Sequence, residues 1–471
     1  MILLFWSSLS YAASVEVSPV DDIVSLVASL SPGSEIVFTD GTYTLSEPLS
    51  ITGLGTADAP IVLRAKEGAT PIIEHADGWV GLYIYDSTYI TVKGLTFLGA
   101  TGWEDMGDYG VYLEDSSNIT LDGLEVGQFA STLMAFGGNN SALTVSNNHL
   151  HDTLSGAGIS VGCSDASCWT EGSTFSGNWI HGLQGTSSLA IYLAPGNQGN
   201  TLTDNVIHDC NYRGLRVDST EYGDPNVVEG NVLWNVNEVG IDARGASRVR
   251  NNVVFNIEGI GIKTADNGRG TLDDVVISFN TVVNTTGYGI SVEDWMDRAG
   301  NVLANNAVCN PTGYGLYFED SDDTGGVDYG LVSGNQICGL VDGPEVLEDG
   351  YAAGGGFDDF VDPEGWDFYP TGDSHLKDAG DPSGDTWVPD TDFNGAPRQG
   401  DAPDVGAYEY IGDSNPGWQI REGFKEPGYK ATAGEEVGGG CCGDKGSEAG
   451  LLWLPLLGLG ALRRRRGGCS S

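Results

Sequence analysis

The chain has 471 residues, 71 of them Gly, and 66 acidic against 21 basic residues give a formal net charge of −45. That balance argues against nucleic acid as a partner, because binding its backbone needs a basic surface; it suits solubility, a saline setting or Ca²⁺ binding. The Gly load, with much Asn and Asp, favours a turn-rich solenoid over a doubly wound α/β enzyme.

From the N-terminus, residues 1–14 (MILLFWSSLSYAAS) form an apolar run ending in small residues. They predict a signal peptide cleaved near Ala12, Ala13 or Ser14, although the usual basic start is missing. Export makes disulfides possible, and Cys163 and Cys168 are close enough to bridge within one loop. Cys210, Cys309 and Cys338 fall on strands and are expected as small buried hydrophobes. No CxxC pair or His/Cys cluster argues for zinc. His149, His151, His181 and His208 recur around the repeat and are read as repeat positions.

Residues 15–410 carry that repeat. Asn148, Asn178, Asn205, Asn231, Asn252, Asn280, Asn306 and Asn335 each sit in a segment x-x-N-x-V/I, with Leu in the last place after Asn148 and Asn231, at spacings of 30, 27, 26, 21, 28, 26 and 29 residues. A period of this size marks a solenoid. The Asn segment, as in TLTDNVIHDC (201–210), leads through a short turn to a Gly-centred segment, as in RGLRVDS (213–219). Both alternate apolar and polar residues over a few positions, which is a strand period. Two or three short strands per coil, stacked in parallel at about 4.8 Å, make an all-β, single-stranded parallel β-helix. Equivalent Asn residues then stack, bond to neighbouring coils through their amides and permit a tight turn. They are read as a structural ladder.

The pattern resembles the right-handed parallel β-helix family, a shape shared by pectate lyases, chondroitinase-like and alginate lyases and many surface proteins. GTYTLSEPLSITGLGTADAPIVLRAKEGATPIIE (41–74) looks like the first coils of chondroitinase-B-like lyases. SHLKDAGDP (374–382) and DFNGAPRQGDAPDVGAYEY (392–410) look like the closing segment of many bacterial secreted β-helix proteins. The resemblance implies a right-handed coil. It does not choose an activity, because lyases, hydrolases and non-enzymes share these motifs.

Positive charge is unevenly placed. There is no Lys or Arg between Lys93 and Arg213, or between Arg298 and Lys377. Two positions after the Gly of successive Gly-centred strands (Ala190 taking the Gly place in one of them) stand Tyr112, Ser160, Tyr192, Arg216, Asp242, Lys263, Ser291 and Tyr317. Four positions after it stand Glu114, Gly162, Ala194, Asp218, Arg244, Ala265, Glu293 and Glu319. Period-two alternation sends both columns outward. The intervening Val111, Ile159, Ile191, Leu215, Ile241, Ile262, Ile290 and Leu316 then point inward. Mid-rod charges flanked by tyrosines suit an acidic or neutral polysaccharide. A uronate lyase needs a base and a cation for the substrate carboxylate. Lys263 is the candidate base, and Arg216 or Arg244 the neutralising cation. Asp218, Asp242 and Glu293 are candidate Ca²⁺ ligands. Tyr112, Tyr192 and Tyr317 are candidate sugar platforms. The same carboxylates could serve a glycoside hydrolase. Equally, the charges could pair across coils in a non-catalytic binding module or adhesin-like rod.

Residues 411–447, rich in Gly, Glu and Lys, are expected to be a linker ending near Cys441 and Cys442. Residues 448–471 hold an apolar stretch and then Arg463 to Arg466. The stretch is short of the ~20 residues of a full span, and the Arg block favours the cytoplasmic side. This layout resembles the myxobacterial C-terminal sorting signal. The resemblance implies processing or attachment at Cys441 or Cys442, a sorting protease as partner, and membrane contact through the C-terminal segment. It also implies an exported protein at the cell surface or outer membrane, or one released after processing. A plain membrane anchor is the alternative.

Overall fold

The computed structural model describes residues 14–426, apart from 46, 76–78, 100–107, 219–222, 267, 269–271, 320–327 and 385. The signal-peptide expectation, except at Ser14, and those for Cys441, Cys442 and 448–471 lie outside the described residues. Among the described residues no helix is long and apolar enough to cross a membrane.

Each middle coil has three short strands, as in Thr201–Thr203, Val206–Cys210 and Arg213–Val217. The first strand of each coil joins a 15-stranded sheet, and the second and third join a 21-stranded one. Second and third strands share a sheet because some coils run them together, as in Val232–Ala243 and Val253–Thr264. Ladders between coils are parallel and in register: Leu215 pairs with Ile191 and Ile241, and Ile241 with Ile262. The column expected to point inward is fully or almost fully buried, from Val111 and Ile159 to Ile290 and Leu316. Each such Ile or Leu contributes about 1.5–3 kcal/mol of burial.

The Asn ladder closes the corner between first and second strands. All eight residues are buried. Asn205 donates through both its backbone N and its Nδ2 to Asn231 Oδ1, at 3.0 and 2.9 Å, and Asn231 repeats this toward Asn252 at 2.9 and 3.0 Å. The tight turn itself falls one residue earlier than the ladder Asn. Asn147, Gly177, Asp204, Gly230, Asn251, Phe279, Asn305 and Gly334 all have positive φ there. Asn, Asp and Gly tolerate that conformation, which explains the composition of the column. Phe279 is the exception. Its buried ring lies under the Arg398 guanidinium, 4.0 Å from the ring centre. A second ladder at another corner, including Asn200 and Asn226, escaped the sequence reading because it is short.

The Gly of the third strands serves close approach. A Cβ at Gly240 would sit 2.6 Å from Gly261 O and 2.7 Å from Val254 Cγ1. Larger residues there would push the bend between second and third strands apart.

After the last coil the chain turns back as a strap. Asp381 bonds Asn305 and Ser333, Trp387 O accepts from Ser278, Arg398 bonds Asn251, and Lys425 bonds Asp204 and Gly230 O. The strap therefore descends several coils toward the N-terminus. Its apolar residues cover Val232, Trp234, Phe255 and Ala307 of the second strands, and Trp387 covers Val276 of a first strand and Phe279 in the turn after it. The expected linker accordingly begins later than residue 411: Trp418, Ile420 and Lys425 are buried on the coils. Gly-rich composition hid these three anchoring side chains. Cys163 and Cys168 form the expected disulfide. Cys210 and Cys309 are buried as expected, whereas Cys338 is half-buried, its Sγ 2.9 Å from that of Cys309 on the adjoining coil.

Candidate functional site

The third strands keep a polar outer column. Backbone pairing places Tyr83, Tyr112, Ala135, Ser160, Tyr192, Arg216, Asp242, Lys263, Ser291 and Tyr317 in one register line across consecutive coils. The charged residues named from the sequence therefore do come together. How they combine could not be read from spacing.

Every one of these charges is engaged. Arg216 holds Asp218 through two bonds, Nε to Oδ1 at 3.0 Å and Nη2 to Oδ2 at 2.8 Å. Tyr192 adds its hydroxyl to Asp218 Oδ2 at 3.2 Å, and the Arg216 guanidinium lies over the Tyr192 ring. Asp242 is shared: Arg244 Nε bonds it at 2.9 and 3.0 Å, and Arg213 Nη1 at 2.6 Å. Arg213 also grips Glu238. Lys263 Nζ bonds Glu293 Oε1 at 2.8 Å, and Ser291 Oγ donates to the same oxygen at 3.1 Å. Arg213 and Glu238 belong to the set but escaped the sequence columns, because they stand before the Gly rather than after it.

The two layers differ in exposure. Asp218 and Asp242 are 1% and 0% exposed, while the side chains of Arg216, Arg244 and Lys263 keep 24%, 18% and 19%. Cations therefore roof the buried carboxylates. Burial alone would pull the Arg216 guanidinium down, but the Asp218 bonds and the Asp218 and Asp242 charges outweigh it and hold it above its ordinary value. Arg213 is likewise held up, against burial, by Glu238 and Asp242.

As arranged, Asp218, Asp242 and Glu293 do not make a Ca²⁺ cage. Four carboxylates, counting Glu238, already meet four cations, and the buried Asp oxygens accept from guanidinium groups. A Ca²⁺ site needs several oxygens free to converge at 2.3–2.6 Å. Among the described residues, the carboxylate and imidazole atoms that do converge are those of Glu125, His149 and His151, on another face.

The tyrosines divide. Tyr192 belongs to the ionic set. Tyr317 stacks on Tyr288 with ring centres 4.3 Å apart. Tyr112 belongs to an aromatic group with Trp79, Tyr83 and Tyr109 toward the N-terminal end. Burial and the Glu114 carboxylate push the Tyr112 hydroxyl up to about 12. Trp79, which the sequence reading did not name, is 44% exposed.

Residues 80–254 and 139–308 match the family model described as right handed beta helix region. The chain is 34% identical over 123 residues to pectate lyase PEL9 of Emericella nidulans, covering 23% of this chain and 28% of that protein. It thus spans little more than a quarter of that relative's length. The crystal structure of pectate lyase Pel9A aligns at a TM-score of 0.52 and 17% identity, covering 85% of this chain and 97% of that one. That likeness is one of fold, and with the parallel coils described above it makes this chain a right-handed parallel β-helix.

Proposed function

We propose that this protein cleaves an acidic polysaccharide by β-elimination, on the outer face of its third strands. The observation that carries the reading is the row Arg216, Asp242, Lys263 and Ser291 on four successive coils, with part-exposed Arg216 and Arg244 over the buried carboxylates of Asp218 and Asp242. The local similarity to a curated pectate lyase supports it. A uronate carboxylate competes with Asp218 and Asp242 for Arg216 and Arg244, which then offset the enolate charge that builds up in the transition state. As the free amine, Lys263 takes the proton from C5 of the sugar and becomes the ammonium that pairs with Glu293. The C5–H electrons form the C4=C5 double bond, the C4–O4 bond breaks, and the departing oxygen takes a proton from solvent water. Neutralisation by Arg makes Ca²⁺ dispensable.

The full chain is to be incubated with a panel of uronate polysaccharides, with and without Ca²⁺. Absorbance from unsaturated ends that is lost in Lys263→Ala and falls in Glu293→Gln is the expected result. Reducing ends without absorbance would replace elimination by hydrolysis on the carboxylates. Silence in both assays from folded protein would leave a polysaccharide-binding or adhesin-like rod. Export and surface display form part of the proposal, with residues 1–14 as signal and Cys441, Cys442 and 448–471 as sorting segment. Fractionation of cells expressing the chain with and without 448–471 tests this; identical soluble intracellular pools would reject it.

A further inference from the structure

A second constellation lies on the outer face of the second strands. There Glu125, His149 and Trp179 share one register column, and Gly127, His151, His181, His208 and Trp234 share another. The ring of His149 lies flat on Trp179, centres 4.1 Å apart with 6° between planes. His149 Nε2 faces His181 Nε2 at 2.9 Å. His151 sends Nδ1 to Asp152 Oδ2 at 2.9 Å and Nε2 to Glu125 Oε1 at 3.3 Å.

Proton bookkeeping separates these rings. A neutral imidazole has one N–H and one lone pair. His208 spends both inside the protein: Nδ1 bonds Asp209 Oδ2 at 2.7 Å, and Nε2 accepts from Trp179 Nε1 at 2.9 Å. His151 is different. Its Nδ1 faces Asp152 Oδ2 and its Nε2 faces Glu125 Oε1, so both ring nitrogens point at carboxylate oxygens. One ligand atom each from Glu125, His149 and His151 lie within 4.8 Å of one another, and His181 presents Nε2 from the next coil. Imidazoles with one carboxylate, and a further carboxylate behind one imidazole, are donors for late first-row divalent ions rather than for Ca²⁺.

We propose that Glu125, His149, His151 and His181 form a binding site for a divalent transition ion, Zn²⁺ being the ion that four N and O donors suit. Entry is from the Glu125 side, where that side chain is 43% exposed. Near the end of the strap, Phe424 packs edge-on against His149 and Trp179, with ring centres 6.3 and 5.8 Å away. A bound ion would therefore rigidify the surface on which the strap ends.

The test uses the full chain, stripped with chelator and dialysed into physiological salt with excess Mg²⁺ to occupy the acidic surface. Co²⁺ is titrated in and its visible absorption followed, with Zn²⁺ as competitor. The expected result is one Co²⁺ per chain with a strong visible band, displaced by Zn²⁺. That band is lost in His149→Ala and in His181→Ala, and kept in His208→Gln. Asp152→Asn, acting behind His151, weakens binding about 10–100-fold. No band, or a band that survives both alanine variants, overturns the proposal. Should the alanine variants not fold, Zn-edge X-ray absorption of the wild-type chain decides. Imidazole scattering with a shell near ~2.0 Å supports the site, and an oxygen-only shell refutes it.

Discussion

Asn231 is the point at which the ladder can be tested most sharply. Its Oδ1 accepts from Asn205 N and Nδ2, and its Nδ2 donates to Leu202 O, Glu229 O and Asn252 Oδ1, at 2.9 to 3.3 Å. Asn231→Ala removes these five bonds. Asn205 Nδ2 keeps Phe175 O, but the buried Asn205 backbone N–H loses its acceptor. Such an orphan costs about 1–3 kcal/mol, and each further neutral bond about 1 kcal/mol net. These sum to roughly 5–7 kcal/mol, and water entering the vacated amide position lowers the expected loss toward about 3 kcal/mol. Asn231→Asp should be worse by about 2 kcal/mol or more, although it is isosteric. It keeps the acceptor but turns an oxygen toward three oxygens, and ionised it buries a charge. The assay is urea unfolding followed by tryptophan fluorescence, read as the midpoint shift because neighbouring coils unfold together. A loss below about 1 kcal/mol for Asn231→Ala, or an aspartate variant milder than the alanine one, would refute a hydrogen-bonded ladder as the source of corner stability.

Two further outcomes follow from the packing of the coils and strap. Gly240→Ala forces a Cβ against Gly261 O and Val254, so it should cost about 1–3 kcal/mol by overpacking. Gly123→Ala, with open space but positive φ, should cost about 1–2 kcal/mol from backbone strain alone, and equal heavy-atom rearrangement in crystals of both variants would contradict this distinction. In the strap, burial and the Asp404 charge push Glu409 up to about 7, against the opposing pull of Arg398. A carboxyl whose folded value is raised stabilises below its unfolded value, near ~4.5, and loses that contribution as pH rises through the folded one. Amide exchange in 392–409, corrected for intrinsic rate, should therefore show weaker protection at pH 8 than at pH 5, and Glu409→Gln should flatten the difference. A wild-type strap equally protected at both values would remove the argument.

The sequence by itself determined the coil. Strand periodicity, the Asn spacing and the apolar line from Val111 to Leu316 each depend on neighbours within one repeat or on identical positions one repeat away, so a single chain displays them. It also placed Arg216, Asp242 and Lys263 in one line, because a parallel ladder converts repeat position directly into register. Tertiary structure decided what that line means. Arg213 and Glu238 enter the ionic set from the opposite side of the Gly, and the pairing of each Asp with a particular guanidinium depends on side-chain reach across coils. The strap anchored by Trp387, Arg398 and Lys425 has no period to announce it, since these anchors meet different coils. The same holds for His149, His151 and His181: spacing made them look like repeat positions, and only the stacking of coils brought His149 and His151 together with Glu125 and set His181 against His149.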